Sequence, residues 1–155
     1  MNITAFDVAQ RFVGLKEAPG IASDPHVLAM LRLDATWVET DGTPWCSAFV
    51  NYIAWLLRLP RSKSLAARSW LRVGVPIELH DARPEFDVVI LTRAGATKDP
   101  GVIAAPGHVA FYAGHHVGTG GQDDARVLLL GGNQGDSVSI APFRYHDVIG
   151  VRRLA

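Results

Sequence analysis

The chain has 155 residues, 48% hydrophobic and 19% charged, an ordinary globular composition that fits a single domain over residues 1–155. Fifteen Lys and Arg balance fifteen Asp and Glu, so no net field draws the chain toward nucleic acid or an anionic membrane. No apolar run reaches the roughly 18 residues of a membrane span, the opening residues lack a signal peptide's basic-then-apolar pattern, and a single cysteine excludes both an internal disulfide and a multi-cysteine zinc site. The expectation is a soluble monomer made in the cytoplasm, with no membrane insertion, no nucleic-acid partner and no cofactor.

Thr4-Ala-Phe-Asp7 resembles a capping box, and Phe6, Ala9, Phe12 and Val13 then recur at helical spacing. Ala18-Pro19-Gly20 ends that helix. Ser23-Asp24-Pro25 opens a second, with proline where the first turn tolerates it. After the turn at Asp41-Gly42-Thr43-Pro44, residues Trp45 to Leu59 read as a mostly apolar helix buried on most sides, stopped by Pro60. Ser64 to Leu71 reads as one more short helix. From about residue 75 the period becomes strand-like: Phe86–Leu91, His108–Gly114, Arg126–Gly131, Ser137–Ile140 and Val148–Arg152 are predicted strands, with a loop from Thr92 to Pro106. Helices followed by sequential strands predict an α+β domain with an antiparallel sheet.

Most lone cysteines are small buried hydrophobes. Cys46, however, falls at the first turn of a predicted helix, where unpaired N–H groups and the positive end of the dipole favour a thiolate and can hold an oxyanion. A thiolate nucleophile needs a base, and His108 begins a predicted strand directly after Pro106-Gly107. If residues 108–114 and 126–133 pair as a hairpin turning in the Gly118–Gly121 loop, His108 lies beside Asn133. An Asn there would accept Nδ1–H of His108 and leave Nε2 facing Cys46, the arrangement of a Cys-His-Asn triad. Asp41 and Thr43 are candidate polar substrate contacts near the nucleophile, and Trp45 a candidate wall of the groove; a second oxyanion donor is not identified.

These residues also carry a family resemblance. Thr43-Pro-Trp-Cys-Ser-Ala-Phe-Val-Asn51, Ala67-Arg-Ser-Trp-Leu71, Phe86-Asp-Val-Val-Ile90, Pro106-Gly-His-Val-Ala-Phe-Tyr112 and Leu130-Gly-Gly-Asn-Gln-Gly-Asp136 resemble the NlpC/P60 and CHAP superfamily, in order along nearly the whole chain. More narrowly, they resemble its small phage and bacterial cell-wall peptidases. The resemblance implies a papain-like fold, with the catalytic Cys at a helix start packed on the sheet, and hydrolysis of amide bonds in peptidoglycan peptides without metal or cofactor. It matches Cys46 to the nucleophile, His108 to the base and Asn133 to a third position that varies across the superfamily. One departure is Phe86 where the superfamily usually has Gly before Asp-Val-Val.

Without a leader, such an enzyme would reach the wall either as a phage or prophage endolysin released through a holin, or as a secreted antibacterial effector whose producer carries an immunity protein. Two other readings use the same residues: a non-catalytic wall-binding module, and acyl transfer by the cysteine onto another substrate. A zinc site built from His108, His115, His116 or His146 with Asp123 or Asp147 lacks the His-Glu-x-x-His spacing.

Overall fold

A computed structural model describes residues 2–93, 95–117 and 124–155. Three helices precede the sheet: α1 (Ala5–Gln10), α2 (Pro25–Arg32) and α3 (Cys46–Leu56). Thr4 caps α1 in a complete capping box with Asp7, and the Asp24 carboxylate caps α2 ahead of Pro25, as the local sequence requires. Helix α3 has no side-chain cap, so its first-turn N–H groups are left for another use.

The predicted helix over 64–71 is instead a 3-10 segment, Ala67–Arg72. Six strands follow: β1 (Val75–Ile77), β2 (Asp87–Thr92), β3 (Gly107–Val117), β4 (Ala125–Gly131), β5 (Ser139–Arg144) and β6 (Val148–Arg153). They form one antiparallel sheet in the order β1-β6-β2-β3-β4-β5. Sequence periodicity does not reveal β1, which is three residues long and mostly exposed.

Alternation along β2 and β3 divides the core. Val88, Ile90, Val109 and Phe111 face the helices and pack with Phe49, Val50 and Ile53 of α3; Val89, Leu91, Ala110 and Tyr112 face a second apolar layer that includes Val127, Leu129 and Phe143. Both faces of β2 are therefore buried, which explains its unbroken Val-Val-Ile-Leu run. Asp87, at the start of β2, is also buried, and it accepts both Nε (2.8 Å) and Nη2 (2.7 Å) of Arg153 on β6. The Asp of that motif anchors β2 to its neighbour β6. Among the described residues, no helix is long and apolar enough to cross a membrane.

The helix bearing Cys46 is tied down by its own sequence block. Ser47 donates to the Ser64 carbonyl (2.6 Å) and accepts from Trp70 Nε1 (3.0 Å). One turn on, Asn51 bonds Ser62 Oγ (3.1 Å), the Ser64 carbonyl (3.2 Å) and the Lys63 N–H (3.0 Å). Ser47 and Asn51 thus hold the start of α3 against the 62–70 segment, and the polar residues of the Trp-Cys-Ser-Ala-Phe-Val-Asn block serve position rather than contact with solvent.

Candidate active site

Cys46 is the first residue of α3 and is only 3% exposed. The backbone N–H groups of Val109, Ser47 and Cys46 itself, together with the Arg93 charge, favour the thiolate, yet burial outweighs them all and raises the thiol above its ordinary pKa. The expectation of a helix-tip thiolate is corrected here. The donors are present, but the sulfur is too deeply desolvated for them to win.

His108 is 5% exposed, at the start of β3. Its ring stacks on Phe143 with centroids 5.2 Å apart, and its Nε2 lies 2.9 Å from Gln134 Oε1. The Gln134 amide nitrogen donates to the Leu129 carbonyl (3.2 Å) and the Ser139 carbonyl (2.8 Å). Because both amide hydrogens are committed to carbonyls, Oε1 must face the ring, which places the imidazole proton on Nε2 and leaves Nδ1 as the basic nitrogen. The two ring nitrogens therefore hold the reverse of the roles anticipated from sequence. Burial lowers the His108 pKa to about 4, with the nearby Arg93 charge adding to the decrease and the Gln134 bond opposing it. At neutral pH the ring is uncharged.

This shift has a measurable consequence. The unfolded chain binds the His108 proton with an ordinary pKa near 6.5, while the folded chain resists it down to about 4. Stability is therefore lost as pH falls from about 6.5 to about 4 and levels off below that, by on the order of 3 kcal/mol. Urea titrations across this window should show the slope in the wild type, and its removal in His108→Ala identifies the group responsible.

The orienting contact sought from Asn133 belongs to Gln134. Phe111 pairs with Leu130 and Tyr112 with Leu129, a register which, continued, does set His108 opposite position 133. But β4 ends at Gly131 and Asn133 adopts a left-handed backbone (φ 56°). The chain turns there, and the next side chain returns beneath the ring. Two glycines make this path possible. A Cβ at Gly131 would lie 2.6 Å from Ala110 Cβ and 2.7 Å from Gln134 Oε1, and one at Gly132 would lie 2.6 Å from the Trp45 ring and 2.8 Å from Phe49 Cβ. Asn133 itself is half-buried and lines the cavity beside His108.

The candidate substrate contacts fare differently. Trp45 is fully buried, and its Nε1 donates to Glu17 Oε1 at 2.6 Å, so it packs beneath the site and offers no free surface. Asp41 is buried too, accepting the N–H groups of Ala18 (2.9 Å) and Asp24 (2.8 Å) through one oxygen, so it staples the 18–24 segment to the turn before α3. Thr43 is half-buried in the turn ahead of the nucleophile. Among the described residues, no three His, Cys, Asp or Glu side chains are grouped to hold a metal; Asp123 and the Gly118–Gly121 loop lie outside them.

Two functional features are not evident from sequence patterning. A cavity of about 560 Å³ opens beside His108 and Gln134, and one of about 210 Å³ opens at Cys46, walled by Pro44, Ala67, Ala105 and Pro106. Among the described residues, Arg93 alone lines both. The wall is held by Arg68, a fully buried guanidinium that has no carboxylate partner among the described residues. It bonds Thr92 Oγ1 (2.9 Å) and the carbonyls of Thr97 (2.6 Å), Asp99 (3.2 Å), Val102 (3.4 Å) and Pro106 (3.0 Å). Arg68 lies in the quoted Ala-Arg-Ser-Trp-Leu segment, but a lone Arg between Ala67 and Ser69 reads equally well as a solvated side chain.

The same arrangement of helix and sheet occurs in a solved protein. The structure of NlpC1 from Trichomonas vaginalis matches with a TM-score of 0.54 and 18% identity over 97% of this chain and 42% of the NlpC1 chain. The chain thus spans less than half of that protein's length. No family model matches the sequence, and no curated protein matches it. The architecture is that of an NlpC/P60-like, papain-like α+β fold, with Cys46 at the helix start against an antiparallel sheet.

Proposed function

We propose that the chain is a cysteine amidohydrolase that cleaves an amide bond in peptidoglycan peptides, with Cys46 as nucleophile, His108 as base and Gln134 as the residue that orients the base. The observation that carries this reading is the 2.9 Å contact of His108 Nε2 with Oε1 of Gln134, whose amide nitrogen is committed to two carbonyls: it assigns the proton to Nε2 and leaves a buried Nδ1 on the residue adjoining Val109, whose N–H acts on the Cys46 sulfur. The NlpC/P60-like fold and the motif resemblance support the substrate class.

In this mechanism the resting pair is uncharged. As Sγ attacks the carbonyl, Nδ1 accepts the thiol proton, so charge develops only in the transition state. The oxyanion meets the N–H of Cys46 at the uncapped start of α3. Collapse of the tetrahedral species breaks the C–N bond, and the imidazolium returns its proton to the departing amine. Water, deprotonated by the same nitrogen, then releases the acyl group from sulfur. An endolysin freed through a holin and a secreted effector paired with an immunity protein are the two settings that fit such an activity.

The test incubates the wild type and Cys46→Ala with purified Gram-negative sacculi and identifies released fragments by mass spectrometry. Fragments from the wild type alone are expected, and their masses name the bond. Intact sacculi with the folded wild type would overturn the wall-hydrolase reading; retained binding would then favour a wall-binding module, and incorporation of an added amine would favour acyl transfer.

A further inference from the structure

We propose that Arg93 is a specificity-determining residue that binds a carboxylate carried by the substrate next to the scissile amide. Arg93 follows β2 directly, is exposed, and borders both the Cys46 cavity and the His108 cavity. A substrate that reaches both Cys46 and His108 lies beside the two cavities that Arg93, alone among the described residues, lines together.

The charge is available for a ligand. Arg93 has no carboxylate within ion-pair distance among the described residues, in contrast to Arg61 with Asp34, Arg144 with Asp147 and Arg153 with Asp87. The other arginine near the site, Arg68, is fully buried and spends its donors on carbonyls and Thr92. Among the described residues, Arg93 is a cation whose charge acts on both the Cys46 sulfur and the His108 ring. A guanidinium presents a planar fork that matches a carboxylate through two parallel hydrogen bonds, which an ammonium cannot reproduce. The neighbouring walls are small and apolar, namely Ala104, Ala105 and Pro106 on one side and Ala141 and Pro142 on the other. These walls lower the local dielectric around the pair, and the carboxylate that also lines the His108 cavity, Asp147, is paired with Arg144 at 3.0 Å.

The proposal rests on reading Cys46 as the nucleophile but not on the identity of the natural substrate, and the test keeps these apart. Cys46 is the single cysteine, so its alkylation is read without ambiguity from intact mass. Iodoacetate and iodoacetamide both react by attack of the thiolate on the CH2 carbon, forming S–C and expelling iodide. The thiolate fraction is common to both and cancels in the ratio of their rates. The expected result at pH 7.5 and low salt is a ratio of iodoacetate to iodoacetamide that falls about tenfold in Arg93→Gln, is partly kept in Arg93→Lys, and declines with added salt in the wild type. An unchanged ratio in Arg93→Gln would overturn the proposal, as would a Cys46 inert to both reagents. Sacculi left intact alongside a collapsed ratio would instead count against the peptidoglycan substrate and leave the carboxylate site standing.

Discussion

Gln134→Leu is expected to slow the Cys46-dependent reaction by about 10²- to 10⁴-fold, the range spanned by a positioned acid–base group, with the fold retained. Leu removes the acceptor that holds His108 Nε2–H and the amide donors that satisfy the Leu129 and Ser139 carbonyls. The imidazole proton can then move to Nδ1, and a ring protonated there cannot take the thiol proton. Because a packing defect alone would also lower activity, the decisive readout is the ring itself. Long-range ¹⁵N–¹H correlation should show a single Nε2–H tautomer in the wild type and a mixture in Gln134→Leu. Asn133→Gly, which keeps the left-handed backbone at that turn, is expected to leave the tautomer unchanged and the rate within about threefold, since Asn133 makes no contact that fixes the ring. The reverse pattern, with Asn133→Gly losing the tautomer and Gln134→Leu keeping it, would restore Asn133 as the third residue.

The second large effect is on stability. Arg68→Met should destabilise the protein by on the order of 3–5 kcal/mol, because removing a buried, fully hydrogen-bonded charge leaves several carbonyls desolvated and unpaired. Those carbonyls belong to Thr97, Asp99, Val102 and Pro106, so the damage concentrates in the loop that walls the Cys46 cavity. Hydrogen exchange should show it directly, with the Val102 and Ala105 amides, which close turns onto Asp99 and Val102, losing protection before the strands do. Arg68→Lys is expected to recover only a small part of the loss, because an ammonium offers three donors from one point and cannot span the acceptors arrayed around the edge of the guanidinium plane. A denaturation midpoint close to wild type in Arg68→Met would show that the loop is held by other means.

Local chemistry made most of the architecture legible in advance. The Thr4–Asp7 box, the Asp24-Pro25 start and the change from helical to alternating spacing near residue 75 depend on neighbours a few positions apart, and the structure has each of them where the spacing puts it. The pairing of Phe111 with Leu130 and Tyr112 with Leu129 was accessible from the same kind of arithmetic, whereas the one-residue shift of register between Tyr112 and Gly114 was not. Cys46 and His108 were singled out by what precedes them, a turn before a helix and a Pro-Gly before a strand.

What folding in three dimensions settled is of another kind. Whether Asn133 or Gln134 reaches the imidazole depends on a left-handed turn that two glycines allow by passing against Ala110, Trp45 and Phe49, residues distant in sequence. The protonation state of Cys46 depends on how completely the core closes over it, and burial reverses the direction that the helix terminus alone would set. Arg68 and Arg93 are both arginines beside apolar residues in the chain. One is the buried hub of a loop and the other an exposed cation between two cavities, because solvation and long-range contacts, which spacing does not encode, assign the same side chain opposite roles.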